Sequence, residues 1–212
     1  PRFSFCGWKV ASADVPDYIA EGALTGRLLA GLYILLRDRF PQKAYMFAPH
    51  FIRTGKVSLT LPQPRLRYKA TPEPLHSIAL FPYRTTKSRH WVLYAVVRSD
   101  TVPNAERLLV YKRSDVPAAA LDWSTKYMEN TFATRVEEQD LPEASFTDLA
   151  VLFASVALAA GVEFLSMKDD AERAVGQAHT FFQELLAENA RSDISEVQLL
   201  SKRSDTIPEF LQ

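Results

Sequence analysis

The stretch SFTDLAVLFASVALAAG, residues 145–161, constrains this chain more than any other, because it is apolar nearly all the way round any helix it forms. A helix without a polar face is stable only when every side is covered, so the rest of the fold has to be built around it. Ser145 or Thr147 supplies a hydroxyl for its first turn, and Gly161 can leave it in the left-handed conformation. With 212 residues, 47% of them hydrophobic, the chain is long enough to bury such a helix. No apolar run reaches the ~20 residues of a bilayer span, so no membrane partner is expected. The N-terminus lacks the basic-then-apolar pattern of a signal peptide, and it opens on Pro1 rather than Met, as a piece of a longer chain would.

Three short runs predict a sheet: LHSIALFPY (75–83), HWVLYAVV (90–97) and RLLVYK (107–112). The segments between them are too short for a parallel crossover and predict antiparallel neighbours. Ahead of them, GALTGRLLAGLYILLRDRFP sets Leu24, Leu28, Leu29, Leu32, Leu35 and Leu36 three and four apart and stops at Pro41, the pattern of an amphipathic helix. TLPQPRLRYKATPEP carries four prolines, which deny the backbone helical geometry and ladder donors, and reads as an extended surface loop. SDVPAAALDWSTKYMENTF predicts a helix capped by Ser114 or Asp115 with Pro117 in its first turn. DDAERAVGQAHTFFQELLAENA repeats apolar residues at 171, 174, 175, 178, 181, 182, 185 and 186 behind leading acids, which suit a helix N-terminus. DISEVQLLSKR reads as a short helix or tail. The order predicts an α+β fold with a central, mostly antiparallel sheet flanked by helices. We expect one domain over 1–212, with a core at about 14–165 and a C-terminal helical extension at 166–212.

A formal net charge of zero conceals an asymmetry. Residues 53–113 hold twelve Lys and Arg against three acids, and residues 129–188 hold twelve Asp and Glu against three bases. Such a dipole is satisfied within the fold, between copies, or by an acidic partner such as nucleic acid or an acidic protein surface. The basic block interleaves with Tyr68, Tyr83, Trp91 and Tyr94, so nucleic-acid binding is one expectation, with Arg65, Arg67, Lys69, Arg84, Lys87 and Arg89 as the contact residues. Glu137, Glu138 and Asp140 read as a solvated acidic loop. A single cysteine, Cys6, excludes an internal disulfide framework and fits an intracellular setting, nuclear or cytoplasmic. His50, His76 and His179 lack ligand spacing, so no metal is expected, and GALTG is too short to cradle a phosphate, so no cofactor is expected either.

His90 is the histidine whose setting suggests chemistry, at the mouth of a buried strand after a polar loop. His90-Trp91 opening a strand within ALFPYRTTKSRHWVLYAVV, followed by a strand ending in an aromatic and then a buried apolar helix, resembles the ubiquitin-like-protein-specific cysteine proteases, the SUMO and NEDD8 deconjugases. The likeness runs over roughly residues 14–165. It implies a cysteine-protease-like fold in which the histidine activates a thiol, an acid orients the imidazole, a glutamine steadies the oxyanion and a tryptophan clamps the modifier's tail.

Matched position by position, the resemblance implies that this chemistry has been replaced. YKRS, Tyr111 to Ser114, puts Arg113 where the acid belongs, with Asp115 two residues further on. DLAV, Asp148 to Val151, puts Leu149 where the cysteine belongs. The glutamine falls near Glu143, with Gln139 not far off, and Ala23 falls where the clamping tryptophan belongs. Leucine neither ionises nor attacks a carbonyl, and a triad without its nucleophile loses its covalent chemistry. His90, Trp91, Arg113, Glu143 and Leu149 then form a vestigial site. The expectation is a pseudoprotease that serves as a protein-interaction or scaffold module in a larger nuclear assembly. A nucleic-acid-binding module is the alternative. A second alternative is an active thiol protease pairing Cys6, in FCGWKV, with His90.

Overall fold

A computed structural model of the chain describes residues 2–5, 8–11, 15, 18, 23–39, 44–46, 52, 78–85, 90–98, 106–141, 148–161 and 171–190. Seven strands are described: β1 (Arg2–Phe5), β2 (Trp8–Ala11), β3 (Ala44–Met46), β4 (Ile78–Arg84), β5 (Trp91–Arg98), β6 (Glu106–Lys112) and β7 (Val136–Asp140). Four helices accompany them: α1 (Gly26–Arg39), α2 (Asp122–Phe132), α3 (Leu149–Ala160) and α4 (Ala171–Ala190). β1 and β2 form an antiparallel hairpin, and the other five make one sheet in the order β3-β4-β5-β6-β7.

The architecture is α+β, and the three predicted strands are its inner strands, antiparallel as their short connections require. The sheet as a whole is mixed, because β3 joins β4 and β7 joins β6 in parallel. Those two edge strands are the part the sequence pattern did not show. β3 is three residues long, and β7, VEEQD, corrects the expectation of an acidic loop at Glu137, Glu138 and Asp140. Acids are poor strand formers, but an edge strand needs only backbone pairing on one side and gains from charges that repel a further strand. Pro82 sits inside β4, opposite Leu93, where the ladder to β3 has already ended at Leu80, so its missing N–H leaves no gap on that side.

Alternation along β5 divides the core. Trp91, Leu93 and Ala95 face one layer with α1, α3 and α4, while Val92, Tyr94 and Val96 face the other with α2. All twelve residues of α3 are buried, as its apolar sequence demands. Gly161 ends the helix at φ 76°, its N–H bonded to the carbonyls of Ala157 and Leu158. The helix carries a buried polar tie: Ser155 donates to the Val151 carbonyl at 2.7 Å and is bonded to the Tyr33 hydroxyl at 2.5 Å. Burial pushes the Tyr33 pKa far above its ordinary value, against the pull of that bond. α4 packs on the same layer through Ala174, Val175, Ala178, Phe182 and Leu186.

The helix expected from Ser114 begins later. Arg113 takes Asp115 as an ion partner, Pro117 precedes a single 3-10 turn at Ala118–Ala120, and α2 starts at Asp122 with no side-chain cap. Ser145, Thr147 and the Pro-rich stretch at 60–74 lie outside the described residues.

Candidate functional site

The expected site lies where β4 ends, β5 begins, β6 ends and α3 begins. Thr85 closes the end of the β4–β5 hairpin, its N–H donating to the His90 carbonyl at 2.9 Å. Its hydroxyl accepts the His90 N–H at 3.0 Å and faces the His90 carbonyl at 3.2 Å. The His90 backbone is thereby fixed, and its ring is half-buried with no hydrogen-bond partner among the described residues.

Trp91 turns the other way, into the layer that holds α3, and is 2% exposed. Its indole N–H donates to the Leu24 carbonyl at 3.1 Å, and the Arg84 guanidinium, one strand across, lies 5.8 Å from its ring centroid. The Leu24 N–H in turn faces an Asp148 carboxylate oxygen at 3.4 Å. The backbone of one residue, Leu24, therefore ties the first residue of β5 to the N-terminus of α3.

Leu149 opens α3 and is 1% exposed, packed within the core. Arg113 follows β6, and extending the β5–β6 register two residues beyond Leu93 and Tyr111 brings it level with Trp91. It makes a two-point ion pair with Asp115, both bonds at 2.9 Å, and this holds the Asp115 carboxyl below its usual range. Asp148 is shifted the other way. Burial raises its pKa, opposed by the Leu24 N–H and by the nearby charges of Arg84, His90 and Arg113. His90 therefore sits within the field of two carboxyls, exposed Asp115 and half-buried Asp148.

The structure gathers His90, Trp91, Arg113 and Leu149 at one end of the sheet. Glu143 and Cys6 lie outside the described residues, as do Arg65, Arg67, Lys69, Lys87 and Arg89. Arg84, the described member of the proposed basic contacts, stands over Trp91. The charge asymmetry closes partly on itself across the sheet edge, where Arg107 meets Glu137 at 2.5 Å and Lys112 meets Glu138 at 3.2 Å.

Two members of the site escaped the sequence reading. Thr85 was part of a linker with no visible task. Asp148 was read only as the neighbour of Leu149, although an acid just before an apolar helix is itself a recognisable start signal. Among the described residues no group of three His, Cys, Asp or Glu gathers as a metal site.

No protein-family model matches the sequence, and no curated protein is similar enough to match it. Solved structures do match. The C-terminal protease domain of Ulp1, solved in complex with Smt3, the yeast ortholog of SUMO, aligns with a TM-score of 0.59 at 12% identity, covering 91% of this chain and 89% of that domain. A de-sumoylating protease aligns at 0.56 with 9% identity, covering 95% of this chain and 97% of its own. Ulp1 with its catalytic cysteine oxidised to a sulfinic acid aligns at 0.54 with 12% identity, covering 89% of this chain and 90% of that one. Agreement over nearly the whole of each chain at such low identity shows an architecture and leaves the chemistry open: the protein has the α+β fold of the ubiquitin-like-protein proteases.

Proposed function

We propose that this chain is a pseudoprotease, a ubiquitin-like-protease fold that has given up thiol chemistry and works as a protein-interaction module within a larger, nuclear assembly. The observation that carries the reading is Leu149. A thiolate nucleophile needs exposure to its substrate and a neighbouring imidazolium to lower its pKa. The residue after Asp148 meets neither need, since it is a leucine packed into the core. Arg113 stands where the acid belongs and spends its charge on Asp115. The Thr85 hydroxyl is committed to the His90 backbone.

The Ulp1 domain was captured with a SUMO ortholog, so a ubiquitin-like protein is the natural first partner to test. The enclosure of Trp91 by Leu24 and Arg84, with the small Ala23 where a clamp belongs, argues that a partner meets some surface other than the tail groove.

The test is covalent labelling of the native chain with SUMO, NEDD8 and ubiquitin bearing C-terminal electrophiles. The expected result is no adduct. An adduct on Cys6 that disappears in His90→Ala would overturn the reading and establish the thiol-protease alternative. Imaging the tagged parent chain tests the compartment, and a signal confined to the cytoplasm removes the nuclear part.

A further inference from the structure

α4 closes the layer that holds α3, yet part of its sequence works against its staying there. It packs mainly on α3 and touches α1 and β1 more lightly. Its grip comes through Ala174, Val175, Ala178, Phe182 and Leu186, and the first three are small side chains that each bury little apolar area. Gly176 stands between them on the exposed side, and a Cβ built there would meet nothing within 4 Å. No close approach asks for a glycine at that place, and its backbone freedom weakens the helix. One turn on, the exposed Thr180 hydroxyl donates to the Gly176 carbonyl at 3.2 Å, a bond that competes with the helical ladder and tends to bend it.

The surface under α4 adds a second penalty. His179 lies edge-on to Tyr18, with ring centroids 4.9 Å apart and planes 76° from parallel, and its Nε2 is engaged by Gln183 one turn along at 2.8 Å. The Tyr18 hydroxyl is wholly buried and has no hydrogen-bond partner among the described residues. Burial alone drives its pKa far above the ordinary tyrosine value, with no bond set against it. A hydroxyl so placed gives up its water when the helix docks and gains no bond in exchange, so it favours the undocked state.

We infer that α4 is a releasable cover: it undocks as a unit while the five-stranded sheet and α2 stay folded, and so bares the apolar side of α3 that it hides. The weak glycine, the competing threonine bond and the unbonded tyrosine hydroxyl all fall at one stretch of one helix, residues 176–180 and the ring beneath them. Domains open first where local choices conflict with the packed state, and α4 gathers three such conflicts where α3 has none of its own. A single 20-residue helix is marginal alone in water, so release and melting go together. The device rests on packing and stands whether or not the end of the sheet at His90 turns over a substrate.

Amide hydrogen exchange of the full chain at low urea, read at residues 174–186 and along β5, tests this. The expected result is that α4 exchanges as one block, about a hundredfold or more faster than β5 after correction for intrinsic rates, with a shallower dependence on urea. Met128→Ala, on the far side of the sheet, should accelerate β5 and leave α4 unchanged, because α2 stays folded when α4 opens. Gly176→Ala should slow α4 about fivefold, and Tyr18→Phe should slow it as well. Protection of α4 equal to that of β5 with the same urea slope, or Met128→Ala moving both together, would overturn the inference, as would fast exchange confined to the two ends of the helix. Acceleration of α4 by Tyr18→Phe would also overturn it, since the hydroxyl would then be a tie that holds the helix down. Gly176 is exposed, so Gly176→Ala folds as the parent does and keeps the test decisive if the Tyr18 variant does not fold.

Discussion

α2 and α3 flank the same sheet from opposite sides and are nearly equal in length, yet one has all twelve residues buried and the other only Ser124 and Met128. α3 lies between the sheet and two further helices, so every side chain on it is packing. α2 covers its layer with one face and gives the other to solvent. A helix held on all sides is the rigid place on which to hang a reacting group, and a helix with a free face is where a partner can be met without disturbing the core. In this chain the rigid helix begins with a leucine that serves packing, and the aromatic residues that catch the eye are on the free one.

The comparison breaks most sharply under core truncation. Phe153→Ala, fully buried in α3, should cost about 3–5 kcal/mol of unfolding free energy, because its neighbours on every side resist collapse into the gap. Met128→Ala, the large apolar anchor of α2, should cost about 2 kcal/mol, since a helix packed on one face can settle. Urea unfolding of both measures the difference, and equal losses would remove the distinction between the helices. Tyr33→Phe should cost about 1 kcal/mol by removing the Tyr33–Ser155 bond while keeping the ring in place and Ser155 on the Val151 carbonyl. If its loss approached that of Phe153→Ala, the polar tie rather than packing would be what fixes α3.

What could be read from the residues follows the same division. α3 and the inner strands were legible because full burial leaves an unmistakable mark: apolar residues all round, or aromatic and β-branched runs between turns. β7 was illegible because its place is fixed by parallel pairing with β6 through α2 in between, and VEEQD has no strand pattern of its own. The start of α2 was misplaced for a related reason. Asp115 as a cap was a local inference, and Arg113, brought to it by the end of β6, had the stronger claim. At the site, His90 and Leu149 were visible as letters. The bridge through Leu24 that joins Trp91 to Asp148 spans more than a hundred residues and exists only in three dimensions.

Asp148 offers a smaller test, in which the sign depends on pH. Its folded pKa lies above the unfolded value, so the folded state binds the proton more readily, and stability falls as pH rises through the folded value. Asp148→Asn keeps an acceptor for the Leu24 N–H and removes the charge. The variant should melt about 2 °C higher than the parent at pH 7, with the gain vanishing near pH 3, where both carry no charge at this position. Asp115 runs the opposite way, its contribution present above the ordinary value of 3.8 and lost as pH falls, but its exposure keeps that effect slight. A thermal melt of Asp148→Asn that fell below the parent at pH 7 would mean that Arg84, His90 and Arg113 outweigh burial and that this end of the sheet is held together by charge.

The smallest stability effect belongs to the most conspicuous residue. Trp123 gives more than half its surface to water, so Trp123→Ala forfeits only its stack on Tyr127 and should change the unfolding free energy by no more than about 0.5 kcal/mol. If that change is instead as large as that of Met128→Ala, the indole is structural, α2 has no free face, and the contrast with α3 collapses. If stability holds, α2 has a face that packing does not need, and α3 alone is held on every side.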